Sequence, residues 1–239
     1  NDVYRTQHRG GRGVTGVTMR EEDGVQHILA ANTMDSLLVF TNRGKVYQVK
    51  VHELPDAGRT AKGLPIVNVI NMQPDETVTT LLRVRDYSSA SYLFFATRQG
   101  TVKRVSLDQF QSVRSSGLIA ITLDEGDELA WVRMTSGKDH VILVTEKGQA
   151  IRFDENDVRP MGRQAAGVIG IRLEEGDRVI AFEVVDPNAD LLVVSQKGLG
   201  KRTPIDQYPV QGRGGKGVQA MKLTPKTGHI VAACMVRED

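Results

Sequence analysis

Apolar residues along this chain come in short runs that end at a polar turn, and the same arrangement returns four times. The first copy reads Leu37-Leu38-Val39-Phe40-Thr41-Asn42-Arg43-Gly44-Lys45-Val46-Tyr47-Gln48-Val49. Its counterparts run from Leu93 to Val105, Ile142 to Phe153 and Leu191 to Thr203. Each holds an apolar stretch, a turn with one glycine, and an alternating stretch. Glycine supplies the positive φ of a tight turn and alternation marks a half-buried strand, so the pattern predicts four β-hairpins. The first strand of each is almost wholly apolar, which predicts burial on both faces. No amphipathic stretch of helical period extends beyond about two turns.

Each hairpin is followed by a polar segment: Glu53-Leu54-Pro55, Leu107 to Phe110, Asp154 to Val158, and Ile205 to Tyr208. These predict a short turn or a single helical turn. Next come arginine-bearing loops, mostly rich in glycine. They are Gln7-His8-Arg9-Gly10-Gly11-Arg12-Gly13, Arg59-Thr60-Ala61-Lys62-Gly63, Arg114-Ser115-Ser116-Gly117, Arg163-Gln164-Ala165-Ala166-Gly167 and Gln211-Gly212-Arg213-Gly214-Gly215-Lys216-Gly217. Their final glycines are spaced by 50, 54, 50 and 50 residues. After each loop comes one strand, an acidic turn and another strand. Four strands per period of about 50 residues is the content of a propeller blade. The expected fold is all-β: a propeller-like disc of four-stranded antiparallel blades, holding five blades' worth or an incomplete six-bladed disc. It forms a single domain over 1–239, with repeats at roughly 7–57, 58–110, 111–160, 161–210 and a partial 211–239. The chain opens on a loop without its hairpin and stops where another hairpin is due, so it reads as a fragment of a longer chain.

Composition narrows the options. Hydrophobic residues make up 40% and aromatics 5%, so Val, Leu, Ile and Ala are expected to fill the core. No run approaches a membrane span, and no apolar signal segment opens the sequence. Cys234 is the single cysteine, which excludes an internal disulfide, fits a reducing cytoplasm and reads as a core thiol. The net charge of +2 hides a pattern. Acidic clusters (Glu21 to Asp23, Asp75-Glu76, Asp124 to Glu128, Glu174 to Asp177) follow the basic loops across apolar stretches such as 168–173. Six residues of strand span about 20 Å, so basic loops and acidic turns are expected at opposite ends.

Catalytic and metal-binding readings fail. Two matches to the dinucleotide pattern, at 11–16 and 212–217, neither follow an apolar strand nor open a helix. The five histidines lack metal-ligand spacing. The acidic turn at 124–128 lacks the spacing of a calcium loop. No catalytic residue and no metal ligand is assigned.

The Gln7 to Gly13 loop resembles the seven-residue box of the C-terminal domain of DNA gyrase A, in the type IIA topoisomerase family. His8 stands where that family usually has Arg or Lys. Gln211 to Gly217 is similar apart from Gly212, and the segments 39–47, 63–68 and 198–203 resemble the same repeats. The resemblance implies a β-pinwheel, in which blades exchange strands, and duplex DNA wrapped around its outer rim in support of negative supercoiling. It also implies gyrase B and the remainder of gyrase A as partners in an A2B2 complex, in the nucleoid-associated cytoplasm and away from membranes. Catalysis, ATP and magnesium would belong elsewhere in that enzyme, with no cofactor here. The related C-terminal domain in topoisomerase IV and a protein-interaction scaffold are the alternatives.

Arg and Gly suit this task because glycine lets main-chain N–H groups approach phosphate and Arg binds phosphate bidentately. The residues expected at DNA are Gln7, His8, Arg9, Gly10, Gly11, Arg12, Gly13, Arg43, Lys45, Arg59, Lys62, Arg98, Lys103, Arg104, Arg163, Lys201, Arg202, Arg213 and Lys216. Arg114 is weighed equally between bracing its loop and touching DNA.

Overall fold

The computed structural model describes residues 29–56 and 69–238. In chain order its strands are β1 (Ser36–Thr41), β2 (Lys45–Lys50), β3 (Val78–Val84), β4 (Tyr92–Thr97), β5 (Thr101–Ser106), β6 (Leu118–Ile119), β7 (Leu129–Thr135) and β8 (His140–Thr145). They continue with β9 (Gln149–Asp154), β10 (Val168–Ile169), β11 (Val179–Val184), β12 (Asp190–Ser195), β13 (Gly200–Pro204), β14 (Val218–Gln219) and β15 (Ile230–Val236). The four hairpins read from the sequence are β1–β2, β4–β5, β8–β9 and β12–β13. The segment after each hairpin forms a single 3-10 turn: Val51–Glu53, Leu107–Phe110, Glu155–Asp157 and Ile205–Gln207.

The antiparallel sheets have the orders β3-β1-β2-β6, β7-β4-β5-β10, β11-β8-β9-β14 and β15-β12-β13. A sheet is therefore not one sequence repeat. The first takes its hairpin, its β3 and its β6 from three successive repeats, with Val46 paired to Leu118 and Lys45 to Ile119. The same donation pairs Val102 with Val168 and Ala150 with Val218. This strand exchange is that of a β-pinwheel. Among the described residues the fourth sheet has three strands, and β13 carries no strand on its outer side.

The donated strands are two residues long, shorter than the strand expected over 168–173. Ile169 pairs with Thr101, the first residue of its host strand. The next N–H, of Gly170, bonds the turn carbonyl of Gly100 at 2.8 Å, so no ladder remains to extend. The chain then runs to the acidic turn.

The core lies between successive sheets. Phe40, Phe95 and Phe110 meet between the first and second, with Phe40 edge-on to the other two at 5.5 and 6.0 Å. Phe94, Phe153 and Phe182 lie between the second and third, Phe94 stacking on Phe182 at 5.4 Å. Aromatics are few, yet all six phenylalanines sit in these two layers. Leu191, Val193, Ile205 and Tyr208 join Ile142 and Val144 between the third and fourth sheets. Cys234 departs from the expected core position: it is exposed on β15, whose outward face carries Val231 and Ala232 in the same condition.

Candidate nucleic-acid interface

The basic loops among the described residues, at 114–117, 163–167 and 211–217, lie along the outer edges of the sheets, and their backbones are engaged. In the loop at 211–217, Gln211 N–H bonds Arg152 O at 2.8 Å and Gly214 N–H bonds Gly170 O at 2.7 Å. Arg213 Nε donates to Asp157 O at 2.9 Å and Nη1 to Ile169 O at 3.1 Å. That arginine braces its repeat against the two before it while its side chain stays exposed. Lys216 is exposed and no hydrogen bond of its amine appears among the described residues. Just before the loop at 163–167 the Met161 N–H bonds Arg104 O at 2.9 Å, and within it the Arg163 carbonyl accepts from Lys103.

Gly167 explains why these loops end in glycine. Its φ is +91°, and a Cβ there would sit 2.5 Å from Val102 O. The loop must press against its host strand before β10 can pair, and a side chain blocks that approach.

Two residues assigned to DNA from the sequence lie inside instead. Lys103 is fully buried, its Nζ donating to Ala120 O at 2.7 Å and to Arg163 O. Arg104 is 3% exposed. Its Nε donates to Val158 O at 2.8 Å, its Nη1 to Glu155 Oε1 at 3.2 Å, and the guanidinium lies 4.4 Å from the centre of the Tyr92 ring. The reason is strand exchange: the 3-10 turn Glu155–Asp157 and the loop at 163–167, which lead into the donated β10, cover β5. Arg152 repeats the clamp one sheet later, with Nη1 on Ile205 O at 3.0 Å. On β13 the equivalent Lys201 and Arg202 are exposed, and Arg202 pairs with Asp190 at 2.5 Å and with Glu238 at 3.5 Å.

Hairpin-turn cations face the acidic turns. Arg43 pairs with Asp75 at 2.9 Å. Arg98 is half-buried over Trp131, 4.7 Å from the ring centre. The acidic turns in their turn hold the hairpins: Asp127 Oδ1 accepts Gln99 N–H at 3.0 Å and Asp177 Oδ1 accepts Lys147 N–H at 2.9 Å. Lys45 is half-buried at the outer edge opposite Ile119, and Arg114 is exposed. The box Gln7, His8, Arg9, Gly10, Gly11, Arg12, Gly13, together with Arg59 and Lys62, lies outside the described residues.

Attention to the loops alone missed Arg172 and Lys222, both exposed, of which Arg172 is joined through its N–H to Gly215 O in the loop at 211–217. Both stand five residues beyond a loop's final glycine, a signal that a register of the repeats would have exposed.

Burial, with the Arg163 charge adding to it, pulls the Lys103 amine down to about 7. An unfolded lysine titrates near about 10.4. Between those values the unfolded chain binds the extra proton, so stability rises with pH through this window. Below about 7 both states are protonated and the burial penalty is fully present. Urea midpoints from pH 7 to pH 10 should therefore climb more steeply for the native chain than for Lys103→Met, which has no amine to titrate. Equal slopes would place the Lys103 proton elsewhere.

Sheets that each finish with a strand from a later repeat, edged by arginine-bearing loops, define the β-pinwheel class. A family profile described as "DNA gyrase C-terminal domain, beta-propeller" matches residues 2–32, 35–85, 91–136, 139–186 and 189–233. The chain belongs to that family. The gyrase A protein of Halalkalibacterium halodurans is 48% identical over 163 residues, covering 68% of this chain and 20% of that protein. The gyrase A protein of Clostridium acetobutylicum is 44% identical over 164 residues, covering 69% of this chain and 20% of that protein. Among solved structures, the C-terminal domain of DNA topoisomerase IV superposes with a TM-score of 0.85 at 31% identity, over 93% of this chain and 70% of that one. The DNA gyrase A C-terminal domain gives 0.76 at 30% identity, over 100% and 78%. The chain thus spans about one fifth of the length of the gyrase A relatives it matches.

Proposed function

We propose that this chain binds duplex DNA along its outer edge and bends it, as the wrapping domain of a gyrase-type topoisomerase that introduces negative supercoils. One observation carries the reading. The loops fasten themselves to the preceding sheets through backbone bonds and glycine contacts, leaving Arg114, Arg163 and Lys216 along one edge in three successive repeats. Cations at intervals on a rigid edge neutralise phosphates without reading bases. Bending costs on the order of 1–6 kcal/mol over a few tens of base pairs, so the contacts must act together. In the sequence, Arg9, Arg12, Arg59 and Lys62 repeat the loop pattern at the other end of the chain, and Lys201 is exposed on β13.

In this reading gyrase B and the remainder of gyrase A, assembled as A2B2 in the cytoplasm, supply strand passage and ATP use, and no chemical step falls to this chain. Topoisomerase IV shares the fold, as the TM-score of 0.85 records. The box at 7–13 and the identity of 48% and 44% to gyrase A proteins favour gyrase.

Affinity for a linear duplex measured across salt tests the reading. Log affinity should fall linearly with log salt, with a slope of about 0.9 per phosphate neutralised. Arg9→Ala combined with Arg12→Ala should lower that slope by about 2 and largely abolish wrapping. Retained wrapping by the double variant would remove the box from the interface.

A further inference from the structure

We propose that Arg172 and Lys222 form a second row of phosphate contacts beside the basic loops. The inference rests on the DNA-wrapping reading and extends it to residues outside the loops. It begins with register. Ile171 and Met221 are buried, while Leu173 and Leu223 pack near the turn glycines Gly100 and Gly148. The intervening Arg172 and Lys222 are exposed in both repeats.

Position comes next. Arg172 N–H bonds Gly215 O at 2.9 Å, and Gly214 N–H bonds Gly170 O at 2.7 Å. The loop at 211–217 is therefore laced alongside 170–172, and Arg172 leaves the backbone directly beside the loop that bears Lys216. Arg213, the other cation of that loop, has committed Nε and Nη1 to carbonyls of the two preceding repeats. Arg172 adds a second exposed guanidinium beside that loop.

Charge separates Arg172 from four of the exposed arginines elsewhere on the surface, whereas Arg114 and Arg159 are, like it, exposed without an ion pair among the described residues. Arg43, Arg133, Arg178 and Arg237 each pair with a carboxylate. Among the described residues neither Arg172 nor Lys222 makes an ion pair. An unpaired cation on the loop-bearing edge is available to phosphate without first breaking a bridge. The equivalent residue one repeat earlier is Thr122, whose hydroxyl donates to Gln164 O at 2.6 Å, so the row is uncharged there.

The test is duplex affinity across salt for Arg172→Ala with Lys222→Ala, beside Lys216→Ala and the control Arg178→Ala. Phosphate contact predicts a salt slope lower by about 2 for the double variant, with affinity lost evenly across sequences. Arg172→Lys should keep most of the slope. Arg178→Ala, paired with Glu146 at the acidic-turn end, should match the native chain. A double variant with native slope and affinity, while Lys216→Ala loses both, overturns the second row and leaves the wrapping reading standing. A native chain that fails to bind duplex at low salt overturns both. Unfolding midpoints of the variants should match the native value, and a large drop in the double variant would assign these residues to the fold instead.

Discussion

Glu155→Ala is expected to lower the unfolding free energy by about 3–5 kcal/mol, the usual result of stripping one partner from a buried ion pair. For a chain of this size that corresponds to a fall in Tm of roughly 6–20 °C. The carboxylate is fully buried and gathers groups from the second sheet and from the turn that leaves it. Oε1 accepts from Arg104 Nη1 at 3.2 Å and from the Thr135 hydroxyl at 2.8 Å. Oε2 accepts the N–H groups of Gly137 at 3.1 Å and Asp139 at 2.7 Å. Alanine leaves these donors and the Arg104 charge without their acceptor. Glutamine fares little better, because its amide turns donors toward N–H groups. The other 3-10 turns begin with Val51, Leu107 and Ile205, so the fold itself accepts an apolar residue here. Glu155→Leu combined with Arg104→Met should therefore recover much of what Glu155→Leu alone loses. Thermal melts of the four members of that cycle decide it, and additive losses would mean that the pair is not coupled.

Gly167→Ala should be the other large effect, about 2–4 kcal/mol, because two costs fall on one methyl group. Alanine is strained at φ +91°, and its Cβ would stand 2.5 Å from the Val102 carbonyl. That neighbour is backbone in the middle of a paired strand, so no rotamer change relieves the overlap. The loop must lift, and with it the pairing of Val168 and Ile169 to β5. Lifting it also exposes the Lys103 amine, which loses the Arg163 carbonyl. Hydrogen exchange should show faster exchange at Gly170 and Ile171, whose N–H groups bond Gly100 O at 2.8 and 3.3 Å. Gly162→Ala is the comparison, since a Cβ there meets nothing within 4 Å. Equal stability of the two variants would contradict the docking role of the loop glycine.

Local chemistry made much of this fold readable. The hairpins were visible because their turns need glycine and their strands alternate, and both signals lie within a dozen residues. The period showed that they repeat. Burial of Lys103 and Arg104 was not readable, because these consecutive residues point to opposite faces of β5 and the local sequence does not show that a later segment covers either face. What covers them arrives from sequence some 50 to 60 residues later, as in the bonds from Lys103 to Arg163 and from Arg104 to Glu155. Glu155 held the clue: it is a carboxylate where the corresponding residues are apolar. The acidic turns offered no ligand spacing in the sequence, yet Asp127 and Asp177 each take a backbone N–H of a hairpin turn. Cys234 shows the same limit from the other side, since an apolar strand in the sequence need not have both faces covered.

If one rigid edge bends duplex DNA around itself, plasmid topology reads that directly. Relaxed plasmid is incubated with the protein at low salt, relaxed again by a type I topoisomerase, stripped of protein and run on a gel. Wrapping predicts a change in linking number that grows with protein and vanishes as salt is raised. Bound plasmid with an unchanged linking number would contradict it.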